Sequence, residues 1–134
     1  MQGLHLTADL RGCPPELPAL SDPARLRELC LVAVREAGLQ AVGELFHRFS
    51  AAPPSTPRQP SGVTGVVLLA ESHLAVHTWP ELGAVTVDVY VCNFSGDNST
   101  AAHRALESLI AAFAAGSVTR QALHRGSAPA MTAN

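Results

Sequence analysis

The chain of 134 residues has no block of lysine or arginine, and its formal net charge at neutral pH is -2. Without a basic stripe to neutralise phosphates, nucleic acid is not expected as a main partner. No stretch approaches the ~20 apolar residues of a membrane span. The start, Met1-Gln2-Gly3-Leu4-His5, lacks a basic region followed by a long apolar segment, so no signal peptide is expected. The three cysteines, Cys13, Cys30 and Cys92, lie far apart and form no CxxC pair. An odd, scattered set argues against a disulfide framework or a zinc site and for a reducing cytoplasm. Charged residues make up only 15% of the chain against 47% hydrophobic. That balance suits a compact soluble fold, and this length can bury a core as one domain without cross-links.

The local signals order well. Leu4 to Leu10 alternates like a strand, and Cys13-Pro14-Pro15 stops it. Asp22-Pro23 starts a helix, because Asp can cap free amides and proline suits the first turn. Leu26, Leu29, Cys30, Ala33, Val34 and Ala37 form its single apolar face, and Gly38 is its stop. Leu39 to Phe49 reads as a strand, although Gly43 and Glu44 weaken it. Residues Ser50 to Gly62 hold four of the ten prolines and no apolar periodicity, which predicts a flexible loop over 50–62. Val63–Leu69, Leu74–Trp79 and Ala84–Cys92 read as three strands, the last with Val85, Val87, Val89 and Val91 in strict alternation. Asp97, Asn98 or Ser99 can cap a second helix whose apolar face is Ala102, Leu106, Leu109, Ile110 and Phe113, with Gly116 as its stop. Val118 to Leu123 is a last strand, and the small, polar tail after Arg125 should fray. The order predicts an α+β fold, a two-layer sandwich of a mostly antiparallel sheet with two helices on one face. The other sheet face then needs a cover, and a second copy of the chain is the economical one.

Chemistry concentrates in Ala70-Glu71-Ser72-His73-Leu74-Ala75-Val76-His77-Thr78-Trp79-Pro80-Glu81. On a strand His73, Ala75, His77 and Trp79 share one face and Leu74, Val76 and Thr78 take the other. On the next strand Thr86, Asp88, Tyr90 and Cys92 oppose the valines, giving a polar face that ends in a thiol. His73 and His77 on a helix would suit one metal ion; on a strand they stand roughly 13 Å apart, so no metal is expected. Ser72 and His77 lack the G-x-S-x-G elbow of a common hydrolase class. Taken singly, each residue has an ordinary reading: a turn hydroxyl, a hydrogen-bonded imidazole, a small core thiol.

Taken together, they resemble the bacterial S-adenosylmethionine decarboxylases, small pyruvoyl enzymes of spermidine synthesis. The matching pieces are His5-Leu6-Thr7-Ala8-Asp9-Leu10, Phe46-His47-Arg48-Phe49, Gly62-Val63-Thr64-Gly65-Val66-Val67, Glu71-Ser72-His73 through His77-Thr78-Trp79-Pro80-Glu81, and Val87-Asp88-Val89-Tyr90-Val91-Cys92. They run in the family's order over roughly residues 4 to 125, and the Glu-Ser-His…His-Thr-Trp-Pro-Glu block is the specific one. The resemblance implies one decarboxylase domain over 1–134, made as a proenzyme. Ser72 would attack the carbonyl of Glu71, and His77 would help remove the Cα proton of residue 72. Elimination and loss of ammonia would leave a pyruvoyl group from Ser72, a β chain 1–71 and an α chain 72–134. The pyruvoyl cofactor would hold the substrate as a Schiff base, and Cys92 would return the proton after CO₂ leaves. Phe49 and Trp79 would sandwich the adenine and face the sulfonium, and Glu81 would take the ribose hydroxyls. His5 lies in a matched block without an assigned role. The implied partners are S-adenosylmethionine and a second processed protomer (α2β2), with the site between protomers.

Three departures from the family pattern matter. Thr64 stands where many relatives have a serine tied to self-processing, and its extra methyl predicts slower processing. The loop 50–62 is longer than in compact relatives. Asn93-Phe94 follows Cys92 where many relatives have glycine. Some homologues with this motif act on other amino acids, so an ornithine or arginine decarboxylase is one alternative. A non-processing regulatory paralogue is another, and retention of Glu71, Ser72, His77 and Cys92 argues against it.

Overall fold

A computed structural model describes residues 2–49 and 61–126. Six strands form one sheet: β1 (Gly3–Arg11), β2 (Ala41–Arg48), β3 (Val63–Leu69), β4 (Ser72–Trp79), β5 (Ala84–Cys92) and β6 (Ser117–Arg125). The spatial order is β2-β3-β4-β5-β1-β6, and every neighbouring pair is antiparallel. Helix α1 (Pro23–Glu36) links β1 to β2, and α2 (Ser99–Phe113) links β5 to β6. Both helices pack on the same sheet face. Val67, Leu74, Val76, Val87 and Val89 meet Leu26, Val34, Leu106 and Phe113 in one buried core. The α+β sandwich expected from the sequence is therefore the observed architecture. No helix among the described residues is long and apolar enough to cross a membrane.

The elements form for local reasons. Asp22 accepts the Ala24 N–H at 3.0 Å, and Pro23 opens α1. The helix closes as a Schellman motif: Gly38 donates to the Arg35 carbonyl at 3.1 Å and Leu39 to that of Val34 at 3.0 Å. Gly38 sits at φ +86°, a conformation that costs glycine little. Strand β2 tolerates Gly43 and Glu44 because it is an edge strand. A register shift falls between Ala41 and Gly43, and Glu44 pairs with Arg27 of α1.

Two boundaries differ from the sequence reading in an informative way. Strand β4 begins at Ser72, not Leu74, because the β3–β4 hairpin turns through Ala70 and Glu71 alone and pairs Leu69 with Ser72. Helix α2 ends at Phe113, with Ala114 left-handed at φ +50°. Gly116 is not its stop; its N–H bonds the Arg11 carbonyl at 2.9 Å as the chain enters β6. Pairing with β1 thus overrides a glycine signal. The expected loop 50–62 lies outside the described residues except for Ser61 and Gly62, and so does the tail beyond Gly126.

Helix-facing and open positions alternate as the period of two demands. Leu74, Val76 and Thr78 are buried, whereas His73, Ala75, His77 and Trp79 face the helix-free side and are half-buried. Large apolar side chains also stand on that side: Leu45 is 69% exposed, Leu68 50% and Leu123 58%.

Candidate active site

The chemistry-bearing residues fall into two groups at opposite ends of β4. The first group surrounds the β3–β4 turn. Two-residue hairpin loops usually take positive φ within the loop. Here Ala70 and Glu71 do not; the positive φ falls on Ser72, at +129°. A side chain in that region costs about 1–3 kcal/mol and persists only where its surroundings impose it. The strained residue is the one whose peptide bond to Glu71 the motif singles out.

Glu71 is held from two directions. Its carbonyl accepts the Cys92 N–H at 2.9 Å. Its carboxylate accepts the Ser95 hydroxyl, the N–H groups of Phe94 and Ser95 at 3.3 Å each, and the Asn98 amide at 2.7 Å. The Ser95 hydroxyl is the largest cause holding this carboxyl below its ordinary pKa; desolvation opposes it, and the Phe94, Asn98 and Ser95 N–H donors add to it. Asn98 is also the N-cap of α2, where the helix dipole favours negative charge. Cys92 is half-buried at the end of β5, whereas Cys13 and Cys30 are buried. Burial raises the Cys13 thiol and pushes Cys30 up to about 12, so neither suits proton transfer.

The second group surrounds the far end of β4. The Thr64 hydroxyl lies 3.2 Å from His77 Nδ1. The Trp79 ring stands 6.2 Å from the imidazole, tilted by 38°. Phe49 donates its N–H to the Gly62 carbonyl at 2.9 Å. A Cβ on Gly62 would meet the Thr78 carbonyl oxygen at 2.1 Å, so only glycine fits against the end of β4 here. Buried Thr78 fixes the strand from behind, donating to the Leu20 carbonyl at 2.6 Å and accepting the Val63 N–H at 2.8 Å. Glu81 is exposed in a short turn over Pro80–Leu82.

One chain does not bring these groups together. Ser72 and His77 are five residues apart on an extended strand, roughly 16 Å. Their cross-strand partners agree: Ser72 pairs with Leu69 and Val91, His77 with Thr64 and Thr86. The cavities are also small. About 230 Å³ lies beside Trp79 and Ala84, and about 130 Å³ beside Glu71 and Asn98. Ligand sites usually need ~300–1,000 Å³. A cavity of about 340 Å³ lies on the helix side, lined by Leu17, Arg25 and Val32, away from both groups.

Two features escaped the sequence reading. Asn98 reads as a helix cap, yet its side chain makes no capping bond. His5, previously without a role, lies 3.2 Å from Asp88 on the open face, beside Tyr90 and His73. Both contacts span more than twenty residues, and local pattern carries no trace of them.

Residues 4–126 match the protein-family model described as S-adenosylmethionine decarboxylase. The chain is 38% identical over 112 residues to the S-adenosylmethionine decarboxylase proenzyme of Pyrococcus furiosus, covering 84% of this chain and 73% of that one. It is 41% identical over 125 residues to the proenzyme of the same name from Aquifex aeolicus, covering 92% and 81%. The crystal structure of the adenosylmethionine decarboxylase from Aquifex aeolicus superposes with a TM-score of 0.79 at 36% identity, covering 98% of this chain and 97% of that one. Fold and hairpin thus fall within a class of decarboxylase proenzymes. The chain belongs to the S-adenosylmethionine decarboxylase family.

Proposed function

We propose that this chain is a self-processing S-adenosylmethionine decarboxylase whose site is completed by a second copy. The observation that carries the reading is the Glu71–Ser72 bond itself: a strained serine follows a carbonyl already hydrogen-bonded to the Cys92 amide. Oγ of Ser72 attacks the Glu71 carbonyl carbon, and its proton passes to the Ser72 nitrogen. The Cys92 N–H stabilises the charge that develops on the carbonyl oxygen. The C–N bond breaks, leaving an ester and a free amine. A base then removes the Cα proton of residue 72, the Cβ–Oγ bond breaks, and Glu71 departs as a carboxylate. The enamine left at residue 72 takes up one water and loses ammonia, which leaves the pyruvoyl carbonyl.

The residues present fit such a group. The chain contains no lysine, so the amine that anchors an external aldehyde cofactor is absent from it, whereas Ser72 carries a backbone and partners suited to making its own carbonyl. Once formed, that carbonyl supplies an electron sink for loss of CO₂ from an α-amino acid. Cys92 returns a proton to the substrate carbon. Phe49 and Trp79 stack the adenine and face the sulfonium, and Glu81 takes the ribose diol. The family and the relatives' names support S-adenosylmethionine over ornithine or arginine, neither of which has a ring to stack.

His77 is the base, with Nδ1 beside the Thr64 hydroxyl and Nε2 without a hydrogen-bond partner among the described residues. Because His77 lies a strand's length from Ser72 of its own chain, the base comes from the second copy. A two-fold axis lying across the strands would set the Trp79 end of one open face over the Ser72 end of the other. Burial of Leu45, Leu68 and Leu123 would favour that association. The implied assembly is an α2β2 dimer of chains 1–71 and 72–134. Denaturing mass spectrometry should show those two fragments, the second without an amino-terminal amine, and Ser72→Ala should stay whole. A wild-type chain that remains intact after long incubation overturns the reading. CO₂ release only from ornithine or arginine overturns the substrate but not the processing.

A further inference from the structure

Asn98 stands at the start of α2, where an asparagine ordinarily caps the helix with its own side chain. Here Asp97 takes that work, accepting the Ser99 N–H at 2.9 Å. The Asn98 side chain turns away, toward the hairpin. Its Nδ2 donates to Glu71 Oε2 at 2.7 Å and to the Cys92 carbonyl at 3.1 Å. Its backbone N–H is donated in turn to Asn93 Oδ1 at 2.9 Å. Cys92 donates its own N–H to the Glu71 carbonyl at 2.9 Å. The bonds close a ring: Glu71 carbonyl, Cys92 N–H, Cys92 carbonyl, Asn98 side-chain amide, Glu71 carboxylate.

We infer that Asn98 is a positioning residue for self-cleavage, holding Glu71 so that its carbonyl stays on the Cys92 amide while the Ser72 hydroxyl attacks. The inference rests on the self-processing reading above. During attack the carbonyl carbon becomes tetrahedral and its oxygen gains negative charge, so the donor must keep its place while residue 72 rearranges. Glu71 carries a second negative charge on the same residue. A neutral donor at position 98, bonded to both the carboxylate and the Cys92 carbonyl, keeps that charge fixed and ties it to the residue whose N–H serves the oxyanion. The other titratable groups around the ring are Cys92 and Asp97, and Asp97 is occupied at the helix start.

The test compares cleavage rates of wild type, Asn98→Ala and Asn98→Asp in freshly purified full chains, each variant divided by wild type at every pH. Asn98→Ala should slow cleavage by about tenfold or more. Asp is as good an N-cap as Asn, so a merely structural role predicts that Asn98→Asp cleaves like wild type at all pH values. The positioning role predicts a slow Asn98→Asp near about pH 8, where two carboxylates face each other, and recovery toward about pH 5, where a shared proton restores the donor. A flat Asn98→Asp ratio overturns the inference, even if Asn98→Ala fails to fold. So does wild-type speed in Asn98→Ala. Failure of wild type itself to cleave would instead strike the self-processing reading.

Discussion

The two ends of β4 differ in what holds them and in what they lack. At the Ser72 end, backbone groups share the holding with side chains: the Cys92, Phe94 and Ser95 amides converge on Glu71 with the Ser95 hydroxyl and the Asn98 amide, and the backbone of Ser72 is strained. At the Trp79 end, side chains dominate: Thr64 on His77, the indole beside the imidazole, and Thr78 buried behind. The first end has the Glu71 carbonyl and the amide bonded to it, but His77 is a strand's length away. The second has an imidazole and aromatic platforms but no electrophile. A strand is too stiff to fold one end onto the other. Opposite ends of one strand become neighbours most simply across a symmetry axis.

The sharpest way to break that comparison is to inactivate one end in each of two copies. Ser72→Ala and His77→Ala should each stay essentially uncleaved alone. Co-expressed, they should yield heterodimers in which the His77→Ala chain is cut, because its Ser72 meets an intact His77. No cleavage in the mixture, or full cleavage of His77→Ala alone, would defeat the division between ends.

A second substitution separates making the group from using it. Cys92→Ala keeps the backbone N–H that serves the Glu71 carbonyl, so cleavage should survive at least in part. Turnover should fall by roughly 10²–10⁴-fold, the usual value of a positioned proton donor. Wild-type turnover measured by CO₂ release would remove Cys92 from the site.

The Trp79 end yields a smaller effect. Phe49→Ala should lower kcat/KM for S-adenosylmethionine by roughly 10–100-fold, since stacking on a base is worth about 1–3 kcal/mol. Its cleavage should stay near wild type, since Phe49 is assigned to the adenine and supplies no group to bond breaking at Ser72. A cleavage defect of similar size would mean that the two ends are not separable.

The smallest expected effect is on stability. Glu71 has a folded-state pKa below its ordinary value of 4.5. A depressed carboxyl stabilises the fold above its unfolded pKa, and that contribution fades as pH falls through the folded pKa. In a Ser72→Ala background, which keeps the chain whole, Glu71→Gln should lower Tm slightly near neutral pH and leave it unchanged well below about pH 4. A difference that grows toward acid would reverse the assigned sign.

Much of the fold was legible because its signals are local. Asp22-Pro23 and Gly38 bounded α1, and strict alternation marked β5. Three residues do something their local signal does not announce. Gly116 promised a helix stop, but pairing with Arg11 claimed it, and an alanine took the left-handed turn instead. The apolar pattern starts a strand at Leu74, but the two-residue hairpin draws Ser72 into the ladder. Asn98, one of three candidate caps, does stand at the N-cap of α2, but its side-chain partners lie 27 and 6 residues away. For Gly116 and Asn98 a hydrogen bond to a distant residue outweighs a short-range preference, whereas for Ser72 the hairpin's own ladder decides.

By itself, the sequence determined the periods, the caps and the inventory of reactive groups, because those depend on residues only a few positions apart. It thereby named Thr64, Glu71, Ser72, His77, Trp79 and Cys92 without saying which could meet. Only the tertiary structure decided that, because strand register sets distances that spacing along the chain does not reveal. Cys92, twenty residues from Ser72, comes to lie beside Glu71, whereas His77, five residues from Ser72, is carried a strand's length away.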